Sequence, residues 1–225
     1  MDASSPIKTA KTKTKKTTDK AVIKSTITPP NLPILEIQIT GDAPYCQHKF
    51  GEKMRRKMMD TQEAGSTAKS KRVREPKDFD DVYEQAIHYS SEGWIGIPAA
   101  AFRSAMIDAC RLTQMVMTKA KLAVFIVPDG IDADDGQPLV RIIGEPEQHI
   151  GYVRLSNGSA DITARPLWRE WAVTLHIKYD ADQFTSDDVI NLLLRAGQQV
   201  GIGEGRPNSR KSHGMGWGTF TLDSA

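Results

Sequence analysis

The sequence predicts an α+β protein: a ferredoxin-like (RRM-like) β-α-β-β-α-β core with insertions and a disordered basic N-terminal arm. Three observations carry that expectation. Ile34 to Thr40 (ILEIQIT) alternates apolar and polar residues, the period of a half-buried strand. Trp171 to Tyr179 (WAVTLHIKY) is a second strong strand. Ala99 to Leu112 and the stretch from Val189 to Val200 place apolar residues at helical spacing. With insertions set aside, the order is strand, helix, strand, strand, helix, strand. One four-stranded sheet would then carry both helices on one face and leave the other face free.

Residues 1–28 form a Lys/Thr-rich run with too few apolar side chains to offset chain entropy, so a disordered arm is expected. Pro29, Pro30 and Pro33 mark the entry into a single domain, 29–225. The first strand is followed by an irregular excursion over about 41–92. Connections usually run to about 4–6 residues, so this one reads as a functional insertion or a flexible lobe. Gly93 to Pro98 reads as a turn, with Pro98 at the first helical position, where its missing N–H is not needed. Phe102, Ala105, Met106, Ala109 and Cys110 share one face of the following helix, with Arg103 and Arg111 off it. Lys121 to Val127 (KLAVFIV) reads as a central strand buried on both faces. Short strands are expected around Val140–Ile143, Gly151–Leu155 and Ala160–Ala164. The second helix starts at Phe184-Thr185-Ser186-Asp187-Asp188, with a hydroxyl cap and acids at the positive end of the dipole. Its stripe is Val189, Leu192, Leu193, Ala196 and Val200, and Gly201 stops it. Trp217 to Leu222 closes the chain as a strand.

Net charge is only +2, but its distribution is uneven. Residues 1–24 hold seven Lys against two Asp, and 49–77 hold ten Lys or Arg against four acids. Residues 78–148 reverse the sign, with twelve acids against five bases. Separated charge makes local potentials suited to a polyanion. No run of about 18 apolar residues is present, so no membrane partner is expected. Cys46 and Cys110 make neither a disulfide framework nor a CxxC metal pair, and they fit a reducing cytoplasm.

The strongest local signal is GIGEGRPNSRKSHGMGWGTF, Gly201 to Phe220. Gly201, Gly203, Gly205, Gly214, Gly216 and Gly218 permit positive φ and close backbone approach, which could turn amide N–H groups toward an anion. Arg206, Arg210, Lys211 and His213 lie between the two glycine triplets and suit phosphate contact. A tight connection with glycines for geometry alone is the plainer alternative. A nucleotide-hydrolysing loop is disfavoured, because such loops follow a strand and open a helix whereas this one does the reverse. The acidic run Asp132, Asp134, Asp135 lacks the spaced ligands of a calcium hand and reads as a solvated turn. For Trp94, Trp168, Trp171 and Trp217, packing is favoured over base stacking. No cofactor or metal is expected.

A glycine-rich loop between the last helix and last strand of a ferredoxin-like domain resembles the RAMP superfamily, the fold of CRISPR effector backbone subunits. Gly96 to Ala105 (GIPAAAFRSA) also resembles that family's I-P-G-S-S-L-K-G opening of the first helix, with Ile97, Pro98 and Arg103 matching in kind. Alanines replace the family's serines, which puts hydroxyl contacts in doubt, and Ala105 replaces its last glycine. The likeness covers about thirty of the 225 residues. The whole chain also resembles an uncharacterised protein of tailed-phage genomes, which implies a bacterial host cytoplasm and no particular activity.

The resemblance implies a non-catalytic protein on a single-stranded RNA or DNA backbone, with a homo-oligomer or filament along the strand as one form. Arg103 would sit near the loop. Lys49, Arg55, Arg56, Arg72 and Arg74 would form a thumb-like or finger-like insertion. Two alternatives stay open: a metal-independent endoribonuclease using His213, and a phage structural or assembly protein.

Overall fold

The computed structural model describes residues 27–63, 65, 76–154, 160–209 and 214–223. Residues 1–26 of the Lys/Thr arm, Arg72, Arg74, Arg210, Lys211 and His213 lie outside them.

Strand β1 (Ile34–Gly41) follows its alternation: Ile39 is fully buried, Leu35 and Ile37 pack on the core, and Glu36 and Gln38 are exposed. The 41–92 excursion is more ordered than expected. It contains β2 (Tyr45–Cys46), α1 (Glu52–Glu63) and α2 (Phe79–Glu84). Straight-chain Met, Lys, Arg and Glu favour α1 intrinsically, since none of its residues is buried. Asp78 caps α2, its side chain accepting from the backbone N–H groups of Asp80 and Asp81.

Strand β3 (Gly96–Pro98) leads directly into α3 (Ala99–Ala109), so Pro98 precedes the helix and is not its first residue. A 3₁₀ turn, Cys110–Leu112, extends α3. All five face residues read from the sequence are buried. The expected strand at 121–127 is strand only in its second half. Lys121, Leu122 and Ala123 end α4 (Met117–Ala123), and β4 (Val124–Val127) follows. Lys, Leu and Ala are strong helix formers, and Leu122 is 74% exposed, so continuous apolarity misread this segment.

The remaining elements are β5 (Gly130–Ile131), β6 (Pro138–Ile143), β7 (Glu147–Arg154), β8 (Ala160–Trp168), β9 (Ala172–Tyr179), α5 (Ser186–Arg195) and β10 (Phe220–Leu222). Strand β10 is shorter than expected, because Trp217 and Gly218 belong to the preceding loop.

Among the described residues the main sheet has seven strands. Strand β9 pairs along its length with β1, which pairs β10. The other edge of β9 pairs β4 through His176–Tyr179 and β6 through Ala172 and Val173. Strand β6 in turn pairs β3 and β5, and every pairing is antiparallel. Four strands therefore lie in the order β10-β1-β9-β4. Phe102 and Met106 of α3 and Val189 and Leu193 of α5 share one core with Val173, Leu175 and Ile177 of β9. A second antiparallel sheet has the order β2-β8-β7. No helix among the described residues is long and apolar enough to cross a membrane.

Candidate nucleic-acid interface

The loop starts where α5 stops. Thr185 and Asp188 form a reciprocal capping box at the helix start, and the five-residue stripe read from the sequence is buried. A π-helical turn, Ala196–Val200, follows, and Gly201 ends it at φ +70°. All six loop glycines have φ between +66° and +77°. That region costs an L residue roughly 1–2 kcal/mol.

The two triplets form a zipped stem. Ile202 N–H donates to Gly218 O at 3.0 Å, and Met215 and Trp217 N–H both donate to Gly205 O, at 2.7 and 3.2 Å. The stem is tied to β2 and its approach by Glu204 N–H to Cys46 O (2.9 Å) and Gly218 N–H to Pro44 O (2.7 Å). At Gly218 a Cβ would overlap the Ile202 carbonyl, and at Gly203 it would sit 2.5 Å from Cys46 O. A side chain at either position would collide with a protein carbonyl. The expectation that glycine amides point at an anion does not hold for Gly201 and Gly218, whose N–H groups are both committed internally.

The stem packs on the smaller sheet. Glu204 pairs with Arg165 of β8 at 2.9 Å, and Arg165 also donates to Thr163 Oγ1 at 2.8 Å. Trp217 meets His149 of β7 edge to face, centroids 5.5 Å apart. Burial pushes the Cys46 thiol up to about 12, so it is no nucleophile. Desolvation, helped by Arg165, holds His48 below the usual imidazole range. His48, His149, Arg165, Glu204 and Trp217 were not singled out from the sequence as one site. Only the register of β7 on β8, His149 opposite Arg165, brings the two elements together, and no local pattern announces it.

Among the described residues, the predicted cations are dispersed. Arg206 is half-buried and donates to Gly203 O at 2.8 Å. Arg103 does not reach toward the loop. Its guanidinium caps the carbonyls of Val124 and Lys121 at the end of α4 and start of β4, and lies 5.0 Å over the Phe125 ring. Arg55 is half-buried on α1, and Arg56 is exposed and paired with Glu52 at 2.5 Å.

Lys49 is buried, which removes it from any surface. Its ammonium bonds Asp132 at 2.9 Å and Asp134 at 2.5 Å, and His88 Nδ1 lies 2.6 Å from the other Asp132 oxygen. Burial opposes the Lys49 charge, but its bonds to Asp134 and Asp132 outweigh this and raise its pKa. Burial likewise opposes the Asp132 charge, and Lys49, the Asp134 N–H and His88 hold it below the usual carboxylate range. The solvated turn expected at Asp132 is thus a buried anchor. Among the described residues no group of His, Cys, Asp and Glu is arranged to hold a metal ion.

No protein-family model matches this chain, and no curated protein matches it.

Proposed function

We propose that this chain is a non-catalytic nucleic-acid-binding protein with a RAMP-like ferredoxin core, contacting a single-stranded RNA or DNA backbone through the cationic tip of its glycine loop. The observation carrying the reading is the stem: six positive-φ glycines fix two chain segments face to face between the last helix and last strand. So rigid a base supports a short tip whose sequence holds Arg210 and Lys211, with Arg206 at its root. The pairings of β1 with β10 and of β9 with β1 and β4, and the one core that α3 and α5 share with β9, support the ferredoxin-like part of the reading. The exposed, Arg- and Lys-bearing α1 is a second surface for the same polyanion. Phage origin and a host cytoplasm belong to the same proposal.

The test is to purify the protein from cells at low salt and digest any co-purifying nucleic acid with RNase and with DNase. Nuclease-sensitive single-stranded material that leaves at high salt supports the reading. Protein free of nucleic acid that also fails to retain unrelated single-stranded oligonucleotides at low salt ends it.

A further inference from the structure

Helix α3 and its 3₁₀ extension carry two arginines, and the structure sends them to different neighbours. Arg103 is engaged at β4, where it bonds the carbonyls of Val124 and Lys121. Arg111 lies at the other end, in the last turn, with its side chain 61% exposed. At that end the glycine loop meets the helix. Asn208 of the loop is pinned twice. Its backbone N–H donates to Val200 O of the π-helical turn at 3.1 Å, and its side-chain amide donates to Asp108 Oδ2 of α3 at 2.9 Å. The other oxygen of the same carboxylate holds the Arg111 guanidinium at 3.1 Å. One carboxylate thus joins the root of the loop to Arg111, and the trailing turns of α3 and α5 converge on Asn208.

We infer that Arg111 is a phosphate-contacting residue: a cation for the single-stranded backbone, set beside the root of the loop by Asp108. The inference rests on the nucleic-acid reading above and adds to it a residue from a different element. A free arginine loses side-chain entropy when it binds, and a guanidinium already held on a carboxylate loses less. A guanidinium has more N–H donors than one carboxylate can accept, so the pair with Asp108 orients the group without exhausting it. Asp108 also accepts from Asn208, which divides its attention between loop and arginine. Arg206, two residues before Asn208, stands at the same root through its bond to Gly203 O. The negative end of the helix dipole favours a cation at Arg111 in its own right. Arg103 has none of this: it lies at the start of the helix, and its fork is turned to β4.

Filter binding of full-length protein to single-stranded RNA and DNA oligonucleotides of mixed sequence, across a salt series, tests the assignment. Arg111→Ala should lower affinity roughly fivefold at low salt and make the slope of log K against log salt shallower by about 0.7, the share of one single-strand phosphate. Its melting temperature should stay within about 2 °C of wild type, because an exposed i,i+3 pair contributes little. Arg103→Ala should leave the slope unchanged. Asp108→Asn breaks the ion pair but keeps an acceptor for Asn208, and it too should keep the wild-type slope. A full slope in Arg111→Ala, or an Asp108→Asn slope as shallow as that of Arg111→Ala, overturns this inference and leaves the nucleic-acid reading standing. Wild-type protein that binds neither oligonucleotide overturns both.

Discussion

Two long excursions leave the main sheet and return to it, and they are closed by opposite chemistry. The first, after β1, is closed by buried charge: Lys49 and His88 stand at its two feet and both hold Asp132. Gln47 completes that closure, accepting from His88 N–H at 3.0 Å and donating to Gly96 O at 2.8 Å. The second, before β10, is closed by backbone: glycines bring carbonyl and amide together without side chains. A buried ion pair needs every partner present, because removing one leaves an uncompensated charge. A glycine stem needs the absence of a Cβ, and its described charged side chains, Glu204 and Arg206, bond Arg165 and the Gly203 carbonyl. Cationic residues close to one another in sequence thus have different fates, with Lys49 inside and Arg56 on the surface.

The largest expected effect breaks the first closure. Asp132→Asn leaves Lys49 buried with only half-exposed Asp134, and should cost about 3–5 kcal/mol in urea unfolding. Adding Lys49→Met should cost less than the sum of the two single changes, because the pair is coupled. The second closure breaks next. Gly218→Ala combines a left-handed φ with overlap on Ile202 O and should cost about 2–4 kcal/mol. Gly216→Ala, with nothing within 4 Å of its added Cβ, should cost only the conformational strain of about 1 kcal/mol. Equal losses at Gly216 and Gly218 would mean that close approach does not hold the stem.

Smaller effects sharpen the contrast. Arg103→Ala uncovers two backbone carbonyls and should lose about 1–2 kcal/mol while leaving nucleic-acid affinity unchanged. With Arg103 beside the loop, as the sequence resemblance implies, the same change would cost binding instead. Acid should weaken the charged closure first. Burial holds His88 below its ordinary value, so the unfolded chain takes up a proton below about pH 6.5 that the folded chain does not. Stability contributed by neutral His88 is full above that pH and is lost as pH falls. The depressed Asp132 acts in the same direction at lower pH. Chemical denaturation at pH 7.5 and 5.5 should show the loss in wild type and a smaller one in His88→Gln.

Local signals in the sequence carried through where the cause was local. The β1 alternation, the α5 stripe and its hydroxyl cap depend on neighbours two to four residues away, and each was readable; the reciprocal bond from Asp188 was not read. Likewise the glycine positions required φ values that only glycine adopts cheaply. What was not readable depends on distant partners. Nothing near Lys49 says that Asp132 lies beside it, and nothing near Arg103 says that its fork meets Val124 and Lys121. Leu122 failed for another reason: an apolar run does not distinguish a strand from a helix end. The smaller sheet was visible as short strands, but its packing against the loop rests on register.

The most direct test joins the two halves of the comparison in one protein. Arg206, Arg210 and Lys211 changed together to Ala remove the loop's charge and leave its glycines. Arg206 alone among the three has a described bond, to Gly203 O, worth about 1 kcal/mol, so the melting temperature should fall by only about 2–4 °C. Filter binding to unrelated single-stranded oligonucleotides at low salt should show an affinity loss of roughly tenfold or more, similar for every sequence and shrinking as salt rises. Equal affinities for wild type and triple variant at low salt would contradict the account and leave the glycine loop as a structural closure alone.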